Sequence, residues 1–322
     1  MKSRLAKLFA ISISIVLVAL LLLLSQIQIA DIITTLADID PLYLIAGFLL
    51  YVCSYLFRAL RFHILLNRDV GIRGLFSIVC VHNMMNNLLP ARTGELSYMY
   101  LLKKVHNRSL EEGIATLTIA RILDFITISL LFFSSALLIA DVPATLTHVF
   151  SGIVACLVLV VLFLFSLVYR REKCICTIES IAENLNLKRF RLTNYLLEKM
   201  SKTIDSIAVI RSRRVILSSF LLSFMIWCAL YSMIAVVLKG MHLDLSITAI
   251  ILGSTFSIFT NVLPIPSVGS FGIYEGAWTV AFMSLGVCKD SAVISGFGVH
   301  IISFMYFVLL GCYGILVMKR EA

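Results

Sequence analysis

The sequence predicts an all-α, polytopic transmembrane helical bundle with about six full spans and two oppositely oriented re-entrant helical hairpins. Three observations carry that expectation. Hydrophobic residues fill 60% of 322 positions, charged residues 14%, and the mean hydropathy is +1.01; a globular domain is roughly half apolar and about a quarter charged. The basic residues behind the net charge of +9 flank apolar runs, a topology pattern and not a nucleic-acid platform. Two stretches of proline, glycine, amide and ionisable residues, 86–95 and 261–275, interrupt otherwise apolar sequence.

The elements follow in order. A span needs roughly 17–25 mostly apolar residues. Residues 9–29 qualify; their apolar core is longer than a signal peptide's, so this is read as a retained first helix. The next span, 41–60, opens on Pro41, which suits a first helical turn. Residues 74–102 form a broken hairpin: apolar at first, polar at His82, Asn83, Asn86 and Asn87, interrupted at Pro90 and Gly94, then resuming at Glu95. Residues 114–140 and 149–169 are spans. Residues 170–214 mix charges with scattered Ile and Leu, the pattern of amphipathic helices at a membrane surface. Residues 215–238 span, 245–285 form the second broken hairpin, and 291–318 make the last span.

The positive-inside rule orients these elements. Lys2, Arg4 and Lys7 place the N-terminus in the cytoplasm, and Lys319 and Arg320 place the C-terminus there. The links carrying Asp31, Asp38 and Asp40, residues 141–148, and residues 288–290 lie outside. Arg58 to Arg73, Lys103 to Arg108, and 170–214 lie inside. The first hairpin therefore enters from the cytoplasm and the second from outside. One transmembrane domain, 1–322, then contains two units, 41–140 and 215–318, of opposite orientation. Paired broken segments in an inverted repeat point to a transporter's binding site, because irregular backbone at membrane depth survives only when protein buries it or it lines a watery cavity.

The candidate site residues are Asn87, Arg92, Glu95, Arg121, Asp124 and Glu275, with the hairpins broken at Pro90, Gly94, Asn261, Pro264, Pro266, Gly269 and Gly272. Arg92 suits bidentate recognition of a phosphate or carboxylate, beside a helix restart that favours anions. The competing reading is a structural Arg92–Glu95 pair. Arg121 and Asp124, three apart on one helix face, are a mutual neutralising pair or a wall of the site. Glu275 has three open readings: a proton-coupling carboxylate, a partner for Arg92 or Arg121, or an N-terminal cap. Asn87 and Asn261 are read as binding backbone groups freed by the prolines. Arg58 and Arg61 have two readings, a grip on lipid phosphates at the cytoplasmic interface and, as the commoner fate, snorkelling to it; His82 and His300 are read as packing histidines.

No catalytic signature or metal-ligand cluster stands in suitable context, so no catalytic residue, metal or cofactor is expected. Most of the eight cysteines lie in apolar runs, where a thiol acts as a small hydrophobe.

At its motifs the chain resembles the flippase-like family related to the transmembrane region of lysylphosphatidylglycerol synthases. Asn87 through Glu95, with Pro90, Arg92 and Gly94, is similar to that family's first signature; Arg121-Ile-Leu-Asp124 to its next; Leu263 through Glu275 to its last. One departure is Ser267-Val268, where a more glycine-rich turn is expected. The resemblance covers nearly the whole chain. It implies an integral inner- or plasma-membrane protein that translocates or handles lipid, without fixing the lipid; the anionic head group expected of its partner lipid rests on Arg92. The soluble aminoacyltransferase domain of the larger members finds no place in these residues. The expected activity is movement of an anionic phospholipid, aminoacyl-phospholipid or polyprenyl-phosphate-linked lipid between leaflets, and not catalysis. The alternatives are a membrane lipid- or glycosyl-transferase, and a scaffold that docks a separate lipid-modifying enzyme through 170–214.

Overall fold

The structure is a computed structural model that describes residues 11–12, 14–22, 26–89, 94–138, 212–260 and 269–321. The described residues are helical throughout their regular elements. After an N-terminal helical stretch through 22 come α1 (Ile29–Ala37), α2 (Pro41–Leu65), α3 (Ile72–Leu88), α4 (Glu95–His106) and α5 (Leu110–Leu138). The second group is α6 (Arg213–Gly240), α7 (Ile247–Thr260), α8 (Ile273–Ser284) and α9 (Lys289–Glu321).

Length divides these helices into two kinds. Four are long and apolar enough to cross a membrane: Pro41–Leu65, Leu110–Leu138, Arg213–Gly240 and Lys289–Arg320. At about 1.5 Å per residue, the shortest of them covers roughly 37 Å, more than a hydrocarbon core of about 30 Å. In contrast, α3, α4, α7 and α8 have 17, 12, 14 and 12 residues. They come as two consecutive short pairs, at the positions expected for the hairpin arms. The tips themselves, 90–93 and 261–268, lie outside the described residues, as do the expected span 149–169 and nearly all of the 170–214 segment.

Local chemistry fixes the ends. Asp40 caps α2 by accepting from the Leu42 N–H at 2.8 Å, with Pro41 at the first helical position. Asn107 closes α4 in a left-handed conformation (φ 53°), after Lys103, Lys104 and His106 in the last turn. Gly272 opens α8 at φ 87°, which a Cβ would oppose.

Several expected boundaries are corrected. The first helix does not run to 29: Gln26 takes φ 62°, and α1 occupies the expected link, its first turn held by Asp31 accepting from the Gln28 N–H. The span expected to end at 60 continues to Leu65, because Phe62 and Leu65 face the core. The helix expected to end at 102 continues to His106, and α6 begins at Arg213, just inside the 170–214 segment expected to form amphipathic surface helices.

Packing follows a regular scheme. The most extensive contact joins α2 to α6, and the next joins α3 to α9. Exchange α2 with α6, α3 with α7, α4 with α8 and α5 with α9, and each helix contact among these eight falls on another contact, although α5–α6 is far more extensive than its counterpart α2–α9. The α3–α9 approach is close enough that a Cβ on Gly314 would sit 2.7 Å from the Ser77 carbonyl oxygen. Across α2 and α9, the Tyr306 hydroxyl donates to the Leu44 carbonyl at 2.6 Å. One continuous core runs through these contacts, with Tyr55, Tyr98, Tyr231, Trp278 and Phe282 among its largest side chains.

Candidate functional site

The apolar run that carries α2 past residue 60 also carries Arg58 and Arg61 into the helix. Arg61 does not reach the interface: it is buried to 1% exposure. Its Nη1 and Nη2 donate to Asp124 Oδ1 and Oδ2 on α5 at 2.5 and 3.2 Å, a two-pronged fork. Nη1 also donates to Ser223 Oγ on α6 at 2.6 Å, and Trp227 Nε1, one turn further along α6, donates to Asp124 Oδ1 at 3.3 Å. Three long helices are thus tied by one buried charge pair.

Asp124 is therefore not the partner of Arg121. Arg121 turns to Glu95, the first residue of α4, with Nη2 3.1 Å from Oε1. The Arg121–Asp124 pair open in the sequence gives way to pairs that cross between helices, Arg61–Asp124 and Arg121–Glu95. The Arg121–Glu95 pair keeps more than a quarter of each side chain exposed. It lies at the start of α4, where a Cβ on Gly94 would run into the backbone of Met85 and Asn86. Arg92 itself lies outside the described residues.

Arg58 sits one turn before Arg61 on the same face of α2. It lies within electrostatic reach of Asp124, Arg61 and Arg121. Its Nε is enclosed, with no hydrogen-bond partner among the described residues. The cluster therefore holds three guanidinium groups against two carboxylates, and among the described residues no carboxylate is paired with Arg58. Apolar and aromatic groups wall it: Phe62 stacks on Tyr98 at 4.5 Å, and Tyr98 meets Thr116 on α5 at 3.2 Å and the His82 ring at 5.6 Å.

The remaining candidates separate from this cluster. Asn87 is exposed and donates to the Asn83 carbonyl at 2.8 Å, a bond along its own helix and not to backbone freed by Pro90. Glu275 is fully buried on α8; Oε2 accepts from the Gly272 N–H at 2.7 Å, so of its open readings the cap is the one observed. Its other oxygen is 2.6 Å from His300 Nδ1 on α9, so His300 is more than a packing residue. Gly269 also adopts positive φ, at 62°, whereas Asn261, Pro264 and Pro266 lie outside the described residues.

Sequence reasoning missed Arg61, Ser223, Trp227 and His300. For Arg61 a signal existed: Phe62, Ile64, Leu65 and Leu66 continue the apolar run beyond it. Nothing in the sequence singles out Ser223 or Trp227 from other small or aromatic residues of a span.

Comparison with known proteins fits this architecture. A UPF0104 membrane protein of Pyrococcus horikoshii is 26% identical over 301 residues, 88% of each chain. A UPF0104 membrane protein of Methanothermobacter thermautotrophicus is 24% identical over 321 residues, covering 92% of this chain and 90% of its own. A shorter similarity, 30% over 115 residues, links 34% of this chain to 18% of the glycosyltransferase AglD of Haloferax volcanii. No solved structure matches the chain. The family model described as the lysylphosphatidylglycerol synthase TM region matches residues 8–311, and this helical membrane protein belongs to that family.

Proposed function

We propose that the protein moves a lipid with an anionic head group between membrane leaflets. The observation that carries this reading is the arginine cluster: among the described residues Arg58, Arg61 and Arg121 are set against Asp124 and Glu95, among apolar helices. Uncompensated charge at membrane depth is costly and is found where an ion or substrate passes. A phosphate would meet the Arg58 guanidinium, with Arg121 beside it and Arg92 at the adjoining hairpin tip, while the acyl chains stay in lipid. Arg61 and Asp124 hold the three surrounding helices in place.

The inverted-repeat part of the reading draws support from two sources. Basic residues flank the two units on opposite sides, and the helix contacts persist on exchange of the units. In the proposed topology the hairpins enter from opposite faces, with both termini in the cytoplasm.

The test uses purified protein in vesicles carrying a trace of fluorescent phosphatidylglycerol or fluorescent phosphatidylcholine. Faster exposure of the anionic probe is the expected result; equal rates for both, or none, overturn the proposal. A second reading, a membrane transferase, draws only on the partial similarity to a protein named a glycosyltransferase. Mass spectrometry of the same vesicles separates the two: a transferase changes the lipid's mass and a translocator does not.

A further inference from the structure

Glu95–Arg121 and Glu275–His300 occupy matching places in the two units. Each glutamate lies in the first turn of the second short helix, just after the hairpin tip: Glu95 opens α4 and Glu275 is the third residue of α8. Each base lies eleven residues beyond the first residue of the unit's last long helix, Arg121 after Leu110 and His300 after Lys289. Each pair closes directly, at 3.1 Å and 2.6 Å. Both units therefore latch the restarting arm of the hairpin to the following long helix. The latches differ in one respect: arginine keeps its charge at any physiological pH, whereas histidine changes charge near neutrality.

The surroundings of the second latch isolate it. Phe271 stacks on the His300 ring at 4.4 Å, and Tyr274 lies against it at 4.7 Å. Tyr231 on α6 is the titratable group near Tyr274. Packed on α8, α7 carries no ionisable residue. The N-terminal stretch packs on α9 and against Gly272 through Leu17, Val18, Leu21 and Leu22, and neither it nor α1, α2 or α3 places a hydrogen bond or ion pair on either member among the described residues. No Lys or Arg among the described residues pairs with Glu275. Glu275 has no exposed side-chain surface, while His300 keeps 10%.

We propose that Glu275 and His300 form a proton-binding site that latches the second hairpin and makes its movement depend on pH. The part played in lipid movement rests on the translocation reading; the proton site does not. With one proton, on Nδ1, the imidazole is neutral and the pair carries one negative charge. Transfer from hydronium forms an N–H bond at Nε2 and leaves water. The pair is then a net-neutral ion pair joined by a charge-assisted hydrogen bond, the form a buried site favours. Loading the proton fastens α8 to α9, and losing it loosens them. The first hairpin, latched by Arg121, has no such dependence, so one proton acts on one of the two hairpins.

The test reads two quantities on the full chain. In vesicles containing fluorescent phosphatidylglycerol, wild-type translocation should rise by about fivefold or more between about pH 5 and about pH 8. His300→Arg makes the second latch permanent and should be slow and flat across that range. Glu275→Gln keeps an oxygen for the Gly272 N–H, loses the charge, and should be fast and flat. A flat wild-type profile, or a wild-type slope in either variant, overturns the coupling. Separately, nitrogen NMR of histidine-labelled protein in nanodiscs follows the ring signal that disappears in His300→Gln. A ring that never changes protonation across this range overturns the proton site whether or not lipid moves. A ring that titrates in a protein that moves no lipid leaves the proton site standing and removes the translocation reading.

Discussion

Asp124 gives both carboxylate oxygens to Arg61, on a different helix, and none to Arg121, its neighbour one turn away. With side-chain exposures of 2% and 5%, neither charge can turn to water if the other is lost. Arg61→Ala or Asp124→Ala should each destabilise the protein by about 3–5 kcal/mol. Replacing both, as Arg61→Met with Asp124→Leu, should restore much of that loss. Thermal unfolding in detergent checks this; single variants as stable as wild type would show that the pair does not hold α2, α5 and α6 together.

The Arg121–Glu95 pair is partly exposed, and its energetic weight is smaller. Arg121→Ala should cost no more than about 1 kcal/mol. It should also slow translocation of an anionic lipid more than that of a neutral one, because it removes a cation beside Arg58. Unfolding and vesicle assays on the same preparation separate the two effects. A large loss of stability with unchanged lipid preference would make Arg121 a purely structural residue.

Arg58 is the sharpest test of the binding site. Arg58→Ala removes a guanidinium with no carboxylate partner among the described residues, so folding should be unchanged or improved. Anionic-lipid movement should fall at least about tenfold, corresponding to roughly 1.4 kcal/mol. Arg58→Lys keeps the charge without the planar fork and should fall between the two. Equal translocation by Arg58→Ala and wild type would place the phosphate elsewhere. Arg92→Ala, at the hairpin tip, should likewise fold and lose translocation.

Gly314 tests the α3–α9 seam. A leucine there would force the helices apart at Ser77, and overpacking of this kind costs about 1–3 kcal/mol. Gly314→Leu should therefore lower the unfolding temperature, whereas Gly276→Ala, where a Cβ meets open space, should not. Similar behaviour of the two variants would mean that the seam is not tightly packed.

The orientation of the units is tested by labelling. In a background without native cysteines, Asp38→Cys and Asp290→Cys should react with an impermeant thiol reagent from outside, and Lys104→Cys should not. Reaction of Lys104→Cys from outside would break the inverted arrangement.

Much of the helical order was legible because apolar run length and breaker residues are local signals. The four long helices and the two short pairs lie where composition, Pro90 and Gly272 place them. The pairing of charges was not legible in the same way. Spacing on one helix ties Arg121 to Asp124, but a partner 63 positions away on α2 wins, because the core closes around Arg61. Long side chains at the end of an apolar run look destined for the interface until packing shows which way the helix face turns. The cap was one of three readings open for Glu275, and the structure shows it on the Gly272 N–H three residues earlier. His300 had no local sign of its role, since its partner arrives from another helix.

The exchange of contacts between α2–α5 and α6–α9 has a consequence for how such a protein can be built. An interface that maps onto itself is the hallmark of a symmetric dimer, in which each copy offers the same patch to the other. The α2–α6 contact has that character within a single chain. Two polypeptides divided between α5 and α6 and produced together are therefore expected to find each other through the α2–α6 contact.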